Sequence, residues 1–225
     1  HRTFHSLSAL AGLDLSSNQL ERLDHRTFQG LTKLKNLKLS SNQLRSIEDN
    51  TFESLASLES LDLRRNSLRT LAPKSFVGLN SLTSLLLQTN QLEVLDNGQL
   101  SYLRKLTVLD LSNCELMSLS EDTFRELTLV SNLDLKANKL ASLDEDTFKH
   151  LTSLRSLDLS FNRLTGLPLA VFNYTKSLDT VNLESNTNLT SVFAGTFNMI
   201  CVKSVLMSPA IKLRQTNMGN CKFFY

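Results

Sequence analysis

Tryptophan is absent from this chain of 225 residues, and glycine, proline and cysteine occur only seven, three and three times. So few glycines and prolines exclude a collagen-like chain or a Gly/Pro-rich disordered one, and no glycine-rich phosphate loop is present. Charge of one sign is lacking too. Lys plus Arg number 24 against 22 Asp plus Glu, a formal charge of +2, so no overall field directs the chain to nucleic acid or an anionic membrane. No run approaches the roughly 18–20 apolar residues of a membrane helix, and the start, HRTFHSLSAL, does not have the basic-then-apolar order of a signal peptide. There is no CxxC pair and no Ser, His and Asp arrangement. The expectation is therefore a soluble chain that is not an enzyme, uses no cofactor, binds no nucleic acid and inserts no segment into a membrane.

What the sequence does have is leucine at a fixed period. Aligned on an asparagine, the motif L-x-L-x-x-N-x-L recurs every 24 residues, as Leu13 to Leu20, Leu37 to Leu44, Leu61 to Leu68, Leu85 to Leu92, Leu109 to Leu116, Leu133 to Leu140 and Leu157 to Leu164. An eighth copy runs from Val181 through Leu183 and Asn186, but Leu189 arrives one position late, so this repeat carries an insertion. The chain begins in the middle of a repeat, since Phe4, Leu7 and Leu10 have the spacing of a closing segment, and it reads as part of a longer chain. Self-similarity at such a period means one continuous core rather than separate domains.

Each position has a physical reading. The alternating L-x-L predicts a short strand with leucines inward, eight of which stack in parallel at about 4.8 Å. The asparagine turns the chain inside the packed interior, where a side-chain amide that donates and accepts satisfies neighbouring backbone groups. Cys114 takes the fifth rung of this ladder and is read as structural. A second column, Phe28, Phe52, Phe76, Phe124, Phe148, Phe172 and Phe197, has Leu100 in its fourth place. Acidic and hydroxyl residues precede these rings, as in Glu121-Asp122-Thr123-Phe124, and predict caps on a short helical turn across the convex side.

The full unit, LxxLxLxxNxLxxLxxxxFxxLxx, resembles the typical 24-residue subclass of leucine-rich repeats found in Toll and Toll-like receptors, Slit, matrix proteoglycans and variable lymphocyte receptors. The resemblance covers roughly residues 4 to 200. It implies an α/β repeat solenoid with a parallel concave sheet and short helical turns or loops on the convex side. The solenoid spans 1–200, with an irregular C-terminal cap at 201–225. The resemblance also implies an extracellular recognition module, secreted or part of a cell-surface ectodomain, that binds a protein or glycan without chemistry. The alternative is a structural or adhesive matrix protein that self-associates, for instance as a homodimer, whereas a monomer favours the first reading. In an oxidising compartment Cys201 and Cys221, twenty residues apart, close the cap as a disulfide or stay free thiols. Asn173-Tyr174-Thr175 and Asn188-Leu189-Thr190 are glycosylation acceptor sequences.

Three columns face the concave side, one beginning at Gly12, one at Asp14 and one at Ser16. The stacked Asp110, Asp134 and Asp158 are read as the commonest form of this strand rather than as a metal site, because fixed spacing supplies no converging oxygen cage. His1, His5 and His25 are read as solvated. The informative positions are departures from the repeat. Leu86 and Val108 place apolar side chains on the sheet, with Arg64, Arg65, Gln88 and Lys136 beside them and Phe161 and Arg163 near the strand ends. An apolar centre ringed by arginine and polar groups is how protein-binding hot spots are built, although scattered exposed apolar residues are also ordinary.

Overall fold

The computed structural model describes residues 4, 6–96, 98–197, 202–214 and 223–224. Cys201 and Cys221, together with His1 and His5, lie outside them. The chain winds as a solenoid whose turns each add one strand to a parallel sheet. The order follows the sequence: Gly12–Asp14, Asn36–Lys38, Ser60–Asp62, Ser84–Leu86, Val108–Asp110, Asn132–Asp134, Ser156–Asp158, Thr180–Asn182, Ser204–Leu206 and Phe223–Phe224. Eight strands are expected from the motif; the sheet continues for two more beyond residue 200. The register repeats at 24 residues, with Leu37 opposite Leu61, Leu61 opposite Leu85 and Leu85 opposite Leu109.

The strands begin one residue before the motif, at x-L-x, but the inter-turn hydrogen bonds run further. The Leu15 and Ser17 amides donate to the Lys38 and Ser40 carbonyls, both at 2.9 Å, and the same pair of bonds recurs from turn to turn. The residue after the third column is left-handed in each of the first eight turns: Ser17, Ser41, Arg65, Thr89, Asn113, Ala137, Phe161 and Ser185 all have φ between 51° and 59°. None of them is glycine, so local preference does not explain this conformation. It is held by the inter-turn bond that each of their amides makes, and it swings the following asparagine into the interior.

There the asparagines form a ladder. Asn66 Nδ2 donates to the Leu63 carbonyl of its own turn and the Leu39 carbonyl of the preceding turn, each at 3.0 Å, while its Oδ1 accepts the Leu44 amide at 3.1 Å. Asn42, Asn90, Asn138, Asn162 and Asn186 repeat the arrangement. Cys114 reproduces only half of it. Its thiol donates to the Leu87 carbonyl at 3.2 Å, but it offers no amide oxygen, so Leu92 lacks the bond that Leu68 and Leu116 make to the next rung. Burial pushes the Cys114 thiol up to about 12, which keeps it protonated and a donor, in keeping with its structural reading.

Behind the sheet the leucines and phenylalanines form one continuous core. The rings stack in two runs, Phe28 through Phe76 and Phe124 through Phe197, with centroids 5.5–6.4 Å apart. Leu100 separates the runs in the same turn in which the ladder bond of Leu92 is missing, so both stiffening columns are interrupted together.

The convex side is built from turns, the loop form of the expected short helical turns or loops; a 3-10 helix, Ala194–Phe197, is the one helix among the described residues. The hydroxyls do cap, as Thr27, Thr123 and Thr147 accept the amides of Asp24, Ser120 and Asp144 at 2.9–3.0 Å. Each cap opens a run of turn residues, 25–30, 121–126 and 145–150, whose amides bond three residues back. At Gly78 the packing is so close that a Cβ would lie 2.4 Å from the Glu53 carbonyl oxygen.

An Asn138→Ala substitution strands the amides of Cys114 and Leu116 and the carbonyl of Leu111, while the Leu135 carbonyl keeps its bond from Asn162, so urea unfolding is expected to lose at least about 3 kcal/mol. Cys114→Asn is expected to gain about 1 kcal/mol by restoring the acceptor for Leu92.

Candidate ligand-binding surface

The concave columns fall as the period predicts: Asp62 pairs with Leu86, Leu86 with Asp110, Ser84 with Val108, and Asp110 with Asp134. Leu86 and Val108 therefore lie diagonally on adjacent strands, each half-buried. Arg64 does not reach freely toward them. Its Nε and Nη2 grip both oxygens of Asp62 at 2.9 and 2.7 Å, and Asp62 is only 4% exposed. Desolvation pushes the Asp62 carboxyl up, but the Arg64 guanidinium and amide outweigh it and hold the carboxyl below its usual value. Gln88 stands in the next turn of the same column as Arg64, half-buried, with a buried Oε1 that has no hydrogen-bond partner.

The remaining members of the anticipated site lie elsewhere. Arg65 and Phe161 occupy left-handed positions beside the sheet. Phe161 is 54% exposed, and the Lys136 ammonium sits 5.2 Å from its ring centroid. Exposed Arg163 follows on the ladder edge. Arg64, Arg65, Leu86, Gln88 and Val108 thus lie in turns 3 to 5, and Lys136, Phe161 and Arg163 in the adjoining turns 6 and 7. A residue with a Cβ in the left-handed region costs about 1–2 kcal/mol that glycine would avoid, and an exposed ring returns little of this through burial.

The aspartate column is first of all structural. Asp62, Asp110, Asp134 and Asp158 each accept the amide two residues on, at 2.8–3.1 Å, which closes the end of the strand. In Asp134 desolvation pushes the carboxyl up, the Asp110 and Asp158 charges add to the rise, and the Lys136 amide opposes it. Among the described residues no group of His, Cys, Asp and Glu is placed to hold a metal ion.

Sequence reasoning missed the polar hollows on the ladder edge. One, of about 320 Å³, is lined by Ser40, Ser41, Arg64, Arg65, Gln88 and Thr89. A second of about 320 Å³ is lined by Arg45, Ser67, Arg69 and Gln91, and a broader one of about 610 Å³ by Arg69, Thr70, Gln91, Glu93 and Glu115. The signal available in the sequence was Arg45 and Arg69, one period apart in a column that otherwise varies. Of the glycosylation acceptors, Asn188 is exposed and Asn173 half-buried, with the Thr175 hydroxyl buried and donating to the Phe172 carbonyl at 3.1 Å.

Comparison with known proteins follows this geometry. The leucine-rich-repeat pattern matches overlapping segments 1–44, 32–92, 81–140, 104–164, 128–189 and 152–199. The chain is a leucine-rich-repeat protein. No curated protein sequence matches it. Among solved structures, this leucine-rich-repeat chain is similar to the Toll receptor of Drosophila in its complex with Spatzle, at 29% identity and a TM-score of 0.72 over 94% of its length. It is also similar to TLR13 in complex with the RNA ssRNA13, at 26% identity and a TM-score of 0.67 over 98% of its length. It spans 31% and 40% of those two chains. A leucine-rich-repeat protein of Leptospira interrogans shares the fold at 22% identity and a TM-score of 0.71, covering 99% of this chain and 68% of the other. Among the described residues no helix is long and apolar enough to cross a membrane.

Because the Asp134 carboxyl is raised in the folded chain, its ionised form opposes folding as pH rises above the carboxylate range. Asp134→Asn is therefore expected to raise the thermal midpoint at pH 7, with the gain shrinking toward pH 3, where Asp134 is protonated in both states. A gain that is constant from pH 3 to pH 7 would contradict the cause given for the shift.

Proposed function

We propose that this leucine-rich-repeat chain is a non-enzymatic recognition module that binds a protein ligand on its concave face, as part of a receptor or secreted immune-type protein. The observation that carries the reading is the half-buried diagonal pair Leu86 and Val108, set between the neutralised Arg64–Asp62 pair and the unpaired Asp110. Apolar side chains at positions that elsewhere are polar contribute nothing to the core behind the sheet. The similarity to Toll with Spatzle and to TLR13 with RNA supports ligand recognition and an extracellular or endosomal setting. Leu86 and Val108 serve as the apolar centre and Arg64, Arg65 and Gln88 as its polar rim, while Phe161 over Lys136, with Arg163, forms a second contact further along the same face. Glycans at Asn173 and Asn188 then sit in the last turns, away from the centre, and a Cys201–Cys221 disulfide closes the C-terminal cap.

The test is a binding screen of the purified chain against secreted proteins, followed by a Leu86→Ser, Val108→Ser double variant. A saturable ligand whose affinity falls at least about tenfold in the double variant supports the reading. A chain that binds none of them and sediments as concentration-dependent oligomers favours the self-associating matrix protein instead.

A further inference from the structure

We infer that the ladder edge of turns 2 to 4 is a binding site for an anionic glycan, a short stretch of saccharide carrying sulfate or carboxylate groups. The two smaller hollows lie on either side of Asn66 in the chain, with Arg65 in the wall of one and Ser67 in the wall of the other. Neither lining contains a carboxylate. Arg64 is already committed to Asp62. Among the described residues Arg45 and Arg65 form no ion pair, and Arg69 makes a neutral bond to Gln91 Oε1 at 3.0 Å. Two exposed guanidinium groups without counter-charge among the described residues, Arg45 and Arg65, and a third, Arg69, which also borders the hollow that holds Glu93 and Glu115, are thus gathered beside hydroxyl and amide side chains: Ser40, Ser41, Ser67, Thr89, Gln88 and Gln91.

A guanidinium is a planar fork of donors that matches the paired oxygens of a sulfate or carboxylate. The hydroxyl and amide groups around it suit the hydroxyls of a sugar. The linings argue against other polyanions. They hold no aromatic side chain on which bases could stack and no apolar side chain to receive the anchors of an acidic peptide. The positive stretch is short, because Glu21 and Glu93 occupy the places one period before Arg45 and one after Arg69. Two turns at the strand spacing give about 10 Å, room for a few charged groups. Arg64, Arg65 and Gln88 are shared with the protein-binding surface proposed above, but the inference does not depend on that surface.

Calorimetric titration with a heparin-type hexasaccharide tests the site. Saturable binding is expected that weakens as salt is added, falls at least about tenfold in the Arg45→Ala, Arg65→Ala, Arg69→Ala triple variant, and is unchanged in Arg155→Ala, an exposed arginine of turn 7. Desulfated hexasaccharide, an oligoglutamate peptide and a single-stranded RNA serve as competing probes and are expected to bind at least tenfold more weakly. Should the triple variant not fold, Arg65→Gln alone is expected to weaken binding about threefold. No binding of the hexasaccharide, equal binding by the variants, or equal binding of oligoglutamate or RNA would overturn the inference. A chain that binds the hexasaccharide and no protein ligand would remove the protein-binding surface and leave this site standing.

Discussion

A buried turn of backbone must find partners for its amides and carbonyls, and in this protein the side-chain amide of one residue per turn supplies them. Asn66, for example, satisfies two carbonyls and one amide drawn from two successive turns. Each unsatisfied group would cost about 1–3 kcal/mol, more than a three-residue strand regains alone. The register between turns follows from this constraint, because the asparagine in one turn must meet the backbone of the turn before it. The leucine core, the phenylalanine stacks and the concave columns all inherit their register from that meeting. Local stability in such an array is a sum over neighbouring turns, so a change at one rung is felt mainly at the two interfaces it joins.

The same logic explains where the protein has freedom to vary. Residues behind the sheet are fixed by packing, and the aspartates of the second column are fixed where they close a strand end. Positions that fall outside both duties carry the departures: Leu86 and Val108 on the sheet, Arg65 and Phe161 beside it, Arg45 and Arg69 on its edge. Turn 4 combines two weaknesses, the missing bond at Leu92 and the ring gap at Leu100, and lies directly behind the apolar pair. The proposed recognition surface and the two interruptions of the core thus occupy the same stretch of the solenoid.

Much of this was legible in the sequence because it is enforced once per turn. The ladder, the rings and the composition of the first two concave columns follow from counting by 24. What was not legible arises from contacts between turns rather than from local preference. Nothing in Ser17, Thr89 or Phe161 signals a left-handed residue; the conformation is imposed by the hydrogen bond each amide makes to the next turn. The caps on the convex side were legible too, because Thr123 and Thr147 sit three residues after the amides they accept. Within the anticipated site, sequence spacing could not tell that Arg64 closes onto Asp62 two residues away or that Lys136 settles over Phe161.

Native-state hydrogen exchange of the leucine amides two residues after each rung tests the central role of the ladder most directly. The account predicts slow exchange at Leu44, Leu68, Leu116 and Leu140, whose amides meet an asparagine oxygen, and exchange at Leu92 faster by at least about tenfold. Protection at Leu92 equal to that of its counterparts would show that the turns hold together without the rung, and would contradict the account.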